Sequence, residues 1–123
     1  MGVEIEDRYR EFKREVLYMA ALEDEQGIWE PLWYANGALA DIPESRRIQL
    51  AERALTELYD GGLIRFSRHG PWLPGGGDAD QEPLDESTVR AAIASTSWRS
   101  LPISDASIWF EATDSGEEVA RAT

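Results

Sequence analysis

The sequence predicts an α+β fold that is mainly α. Residues 41–60 carry helix-spaced apolar side chains between a capping signal and the pair Gly61-Gly62. Residues 63–68 and 107–113 alternate apolar and polar side chains, the period of half-buried strands. Residues 7–23 hold a further apolar stripe at helical spacing. The expected order is three N-terminal helices, then two antiparallel strands with a helical insertion between them.

Residues 41–68 organise the rest. Asp41 and Glu44 have the spacing of a capping box, and Pro43 suits a first turn, where its missing N–H costs nothing. Ile48, Ala51, Leu55 and Leu58 fall within about 80° of one another on a helix, a single apolar face. Gly61 and Gly62 end the helix, because a left-handed C-terminal cap favours glycine. In the strand that follows, Ile64 and Phe66 point one way and Leu63, Arg65 and Ser67 the other. Opposite the apolar helix face lie Arg46, Gln49 and Arg53, spaced i, i+3, i+7, with Leu50 and Glu57 on the same side.

The first helix, residues 7–23, is expected to bury Tyr9, Phe12, Val16, Met19 and Ala20. Glu23, Asp24 and Glu25 crowd its C-terminus, where the helix dipole disfavours acid by a few tenths of a kcal/mol, roughly. Gly27 is its predicted stop, and Ile28-Trp29 a short strand. Residues 31–39 read as a second helix starting at Pro31, with Leu32, Ala35 and Leu39 on one stripe. Asn36-Gly37 weakens it. Trp29, Trp33 and Tyr34 are expected to seal the core between helices, with an aromatic peptide groove as the functional alternative.

Residues 69–77 cannot be regular structure, and Gly75-Gly76-Gly77 lacks the lysine and hydroxyl of a phosphate loop. Residues 78–86 hold five acids and no base without the pattern of a calcium loop, so residues 78–83 are expected to be mobile. A short helix follows over 86–95, capped by Asp85, with Val89, Ala92 and Ile93 inward and Trp98 closing its end before Leu101-Pro102. In strand 107–113, Ile108, Phe110 and Ala112 share one face. Thr113 then caps a last helix over 114–121.

The 123 residues are expected to form one domain, with a core of residues 5–68 and 106–121 and an insertion of residues 69–105. The formal charge is −12. Residues 1–45 and 69–123 are each net −7, whereas residues 46–68 are net +2. A field of this sign repels nucleic acid and favours basic partners. There is no cysteine, so disulfides and thiolate metal sites are excluded, and a cytoplasmic setting is expected. The first residues are charged throughout, unlike a signal peptide, and no apolar run is long enough to span a membrane. The single histidine, His69, is expected in an exposed loop, and nothing supplies a catalytic triad. No catalytic, cofactor-binding or metal-binding residue is predicted.

The order of elements resembles that of a winged helix-turn-helix domain. Residues 54–64, ALTELYDGGLI, resemble the L-x-x-L-x-x-x-G-L-I stop of MarR- and PadR-like regulators. Residues 110–118, FEATDSGEE, resemble the L-T-x-x-G run that leads into their post-wing helix. In that family the loop between the wing strands is short and basic; here the long acidic insertion stands in its place, and the long dimerisation helices are missing. The resemblance implies DNA contacts at Arg46, Gln49 and Arg53 on the helix and at Arg65 and Arg68 on the wing. The charge points instead to a protein partner, so the expected function is a non-catalytic winged-helix module for protein interaction or regulation. A sequence-specific DNA-binding transcriptional regulator is the alternative. The sequence does not give the oligomeric state.

Overall fold

The computed structural model describes residues 2–23, 25–69, 81–95 and 108–122. In chain order these form α1 (Gly2–Leu22), β1 (Gln26–Gly27), α2 (Glu30–Ala38), α3 (Glu44–Asp60), β2 (Ile64–His69), β3 (Gln81–Pro83), α4 (Glu86–Ala94), β4 (Ile108–Ala112) and α5 (Asp114–Ala122). The fold is α+β and mainly helical. The described strands form an antiparallel sheet in the order β1-β4-β2-β3.

The two alternating runs pair with each other as expected. Ile64 lies opposite Ala112, Phe66 opposite Phe110 and Arg68 opposite Ile108. The period-two pattern places Ile64, Phe66, Ile108, Phe110 and Ala112 on the buried face. Phe66 and Phe110 meet with ring centroids 5.6 Å apart, and Tyr59 approaches Phe66 edge-on at 5.8 Å. Helices α1 and α3 pack on the sheet. Tyr9, Phe12, Val16, Leu17 and Ala20 of α1, the apolar face of α3, and Val89 and Ile93 of α4, which packs on α3, belong to the same buried core. Each large apolar side chain so buried contributes about 1.5–3 kcal/mol.

The C-terminus of α3 is built as its glycines predict. Gly62 takes a left-handed φ of 72°. The Leu63 amide donates to the Leu58 carbonyl and the Gly62 amide to the Tyr59 carbonyl, both at 3.0 Å, which is the Schellman arrangement. Thr113 caps α5 by accepting from the Gly116 amide at 3.1 Å, and its hydroxyl donates to the Gly62 carbonyl at 2.6 Å. The Thr113 amide donates to the Leu63 carbonyl at 3.0 Å. The start of α5 is thereby fastened to the α3–β2 corner. Gly116 is needed there for space: a Cβ on it would lie 2.0 Å from the Leu63 carbonyl oxygen.

Several expectations are corrected. Asp41 does not cap α3; the residue preceding the helix is Pro43, and no side chain bonds the first turn. Arg8 of α1 takes the Asp41 carboxylate instead, in two bonds of 2.7 and 2.8 Å. The buried face of α3 is centred about 50° from the predicted one. Leu50 and Ala54 are buried and Ile48 only partly so, because α1, α2, α4 and β2 all pack on this helix. Helix α1 begins at Gly2 rather than residue 7. Gly27 is a strand residue opposite Trp109 rather than a helix stop, and β1 lies two residues before Ile28-Trp29. The Ile28 amide extends the pairing by donating to the Ile108 carbonyl at 3.1 Å.

Residues 81–83, expected in a mobile loop, form β3. Ser67 lies opposite Pro83, and His69 opposite Gln81, so His69 ends a strand rather than sitting in a loop. Backbone bonds hold this edge, which need no apolar side chain, and an edge strand tolerates proline. The predicted features at residues 70–80, Trp98, Leu101-Pro102 and Ser107 lie outside the described residues. Asp85 caps α4 as expected, accepting from the Thr88 amide at 2.8 Å.

Candidate partner-binding surface

The five polar residues singled out on α3 and β2 are held by different parts of the fold. Arg46 and Gln49 are exposed on the N-terminal half of α3, and among the described residues Arg46 has no ion-pair partner. Arg53, one to two turns further on, faces α1. Its guanidinium bonds both oxygens of Glu6, at 2.9 and 3.2 Å, and reaches Glu57 at 3.4 Å. It also lies 4.0 Å from the centre of the Tyr9 ring. On the outer face of the sheet Arg65 bonds Glu111, directly opposite it on β4, at 2.8 Å. Arg68 is exposed near the end of β2.

Glu57 is the hub beneath Arg53. One of its oxygens accepts from the hydroxyl of fully buried Tyr9 and from Lys13 Nζ at 3.2 Å. The Tyr9 hydroxyl, Lys13 and Arg53 together hold the Glu57 carboxyl below its ordinary range, against the opposing effect of burial. Burial, and then the Glu57 carboxylate, push the Tyr9 hydroxyl far above the usual phenol range. Hydrogen bonding to Arg53 lowers Glu6, and the same bonds raise Arg53. Glu6, Glu57 and Arg53 therefore stay ionised, and Tyr9 protonated, through neutral pH. Arg53 is therefore committed to its own chain, and a phosphate would have to displace two carboxylates to reach it.

A second feature lies between α1 and α2, where a cavity of about 190 Å³ opens beside Tyr34. Tyr34 stacks on Phe12, with centroids 5.8 Å apart and planes 15° from parallel. Glu11 and Glu15, one turn apart on α1, line the same space, as does Arg8. Arg8 brings little free charge to it, since its guanidinium is taken by Asp41, whose carboxyl it pushes down to about 2. Neither Glu11 nor Glu15 has an ion-pair partner among the described residues. Burial first, and then the charges of Glu15 and Glu11, raise the Tyr34 hydroxyl. Sequence reasoning treated Tyr34 as core and passed over the two carboxylates. Their i, i+4 spacing, which is mildly repulsive, was the one available signal.

The expected aromatic seal is present, but one ring stays open. Trp29 meets Trp33 edge-on at 6.2 Å and Trp109 at 5.2 Å. Trp29 is buried, whereas Trp33 is 48% exposed. Among the described residues no three potential metal ligands cluster, and no helix is long and apolar enough to cross a membrane. Comparison with protein-family models, curated proteins and solved structures gives no match.

Proposed function

We propose that the chain is a small non-catalytic winged-helix module of the cytoplasm whose partner is a basic protein. Two features support the winged-helix assignment. The order α1-β1-α2-α3-β2-β4 follows that of such a domain, and β1 pairs with the last wing strand, β4. The observation that carries the functional reading is the engagement of Arg53 by Glu6, Glu57 and Tyr9. A groove-reading helix needs its arginines free for phosphate and base edges. Here the central one is neutralised internally, in a chain of net charge −12. Such a surface attracts cationic partners and repels nucleic acid at long range.

Exposed Arg46 and Gln49 favour the alternative, a sequence-specific DNA-binding regulator. The two functions separate in a capture experiment. The immobilised wild-type chain is expected to retain basic proteins from a nuclease-treated extract, with retention falling as salt rises. Loss of all capture on nuclease treatment would favour the regulator.

A further inference from the structure

We propose that the cavity between α1 and α2 seats an arginine side chain of the partner, with the guanidinium stacked on Tyr34 and paired with Glu11 and Glu15. This rests on the protein-partner reading above and names the contact it would use.

The shape and the chemistry agree. At about 190 Å³ the cavity is smaller than the roughly 300–1,000 Å³ of small-molecule sites, and it suits one side-chain head group. Tyr34 and Phe12, stacked on each other, both line it. An aromatic face attracts a cation placed within about 6 Å of its centre. Glu11 and Glu15 stand on successive turns of α1 at the same opening, without a cation of their own among the described residues. A planar guanidinium satisfies both elements at once, stacking on the ring while its edge bonds a carboxylate. An ammonium can use the carboxylates and the charge attraction of the ring, but not the planar stacking, so it gains less. An anionic occupant would face two carboxylates, with Arg8 already bound by Asp41. Two carboxylates beside an arginine also make a poor metal site, and no three-ligand group exists among the described residues.

The test is calorimetric titration of the full chain with a capped tetra-arginine peptide, and with tetra-lysine of the same length. Wild type is expected to bind tetra-arginine several-fold more tightly than tetra-lysine. The E11Q/E15Q double variant should lose roughly tenfold in affinity, the scale of one charge-assisted hydrogen bond to a carboxylate. The control E23Q/E118Q removes the same charge from exposed positions just after α1 and on α5, and should stay within twofold of wild type. Tyr34→Leu keeps the apolar wall but should abolish the preference for arginine over lysine. Circular dichroism checks that each variant is folded. Equal losses in the two double variants would reduce the effect to net charge and overturn the seat. So would an unchanged arginine preference in Tyr34→Leu, or no binding of tetra-arginine to wild type. If the seat fails while wild type still captures basic proteins, the module reading survives; if capture fails as well, both fall.

Discussion

The Arg53 guanidinium lies 4.0 Å from the centre of the Tyr9 ring, and Tyr9 in turn donates to Glu57, the other partner of Arg53 on its own helix. The three side chains close a ring of contacts between α1 and α3. Replacing Arg53 with methionine keeps the apolar stem and removes the charge. The expected loss is about 1 kcal/mol, from the cation–π contact and a partly exposed ion pair. It is read as a lower urea midpoint at unchanged slope. An unchanged midpoint would show that the contacts are made but contribute nothing.

The same ring gives the chain a signature in acid. Glu6 and Glu57 both titrate lower in the folded chain than in the unfolded one. The stability they confer is complete above the unfolded carboxyl range, near pH 4.3, and is lost as pH falls through the folded values. Relief of repulsion among the excess acids acts in the opposite direction, so the informative quantity is a difference. The stability gap between wild type and E6Q/E57Q is expected to be constant from pH 7 to about 5 and to close in more acidic solution. A gap independent of pH down to 3 would mean that these carboxyls are not shifted.

Phe66 sits at the centre of the β2–β4 pair, between Phe110 and Tyr59. Phe66→Ala removes a buried ring and should cost about 3–5 kcal/mol. Denaturant unfolding measures it. A loss below about 1 kcal/mol would place the side chain at the surface.

Two glycines are expected to respond in opposite senses. Gly116→Ala drives a methyl to within 2.0 Å of the Leu63 carbonyl oxygen, so α5 must move away from the α3–β2 corner. A loss of more than about 2 kcal/mol is expected. Gly37, inside α2, has open space around its missing Cβ and no positive φ. Gly37→Ala should stabilise by about 0.5–1 kcal/mol through helix propensity and a less free unfolded chain. Melting both variants beside wild type checks the contrast, and equal effects would contradict it.

What the sequence made legible was periodic and local. Alternation in residues 64–68 and 108–112 identified the central strand pair and its buried face. The glycine pair identified the end of α3, and Asp85 and Thr113 identified two helix caps. What it concealed depends on partners far away in the chain. Asp41 had the spacing of a cap, but Arg8, 33 residues earlier, holds its carboxylate. Arg53 reads as a solvent-facing base until Glu6, 47 residues earlier, is brought beside it. Leu50 looked like a flaw in a polar ridge, whereas the packing turns it inward. Strand β3 carries no alternating pattern, because it is held through backbone groups that every residue but proline has in full. The Tyr34 cavity needs α1 and α2 side by side, which no spacing within either helix can reveal.

Binding to duplex DNA tests the central claim most directly. Fluorescence titration of labelled genomic fragments at two salt concentrations measures both affinity and its salt dependence. At physiological salt, binding is expected to be undetectable, because a charge of −12 opposes approach and Arg53 and Arg65 are occupied by Glu6 and Glu111. The contrary result would be tight binding whose affinity falls with salt along a log–log slope of about −4 to −5. That slope is expected if Arg46, Arg53, Arg65, Arg68 and one further base each neutralise a phosphate, and it would make the chain a DNA-binding regulator.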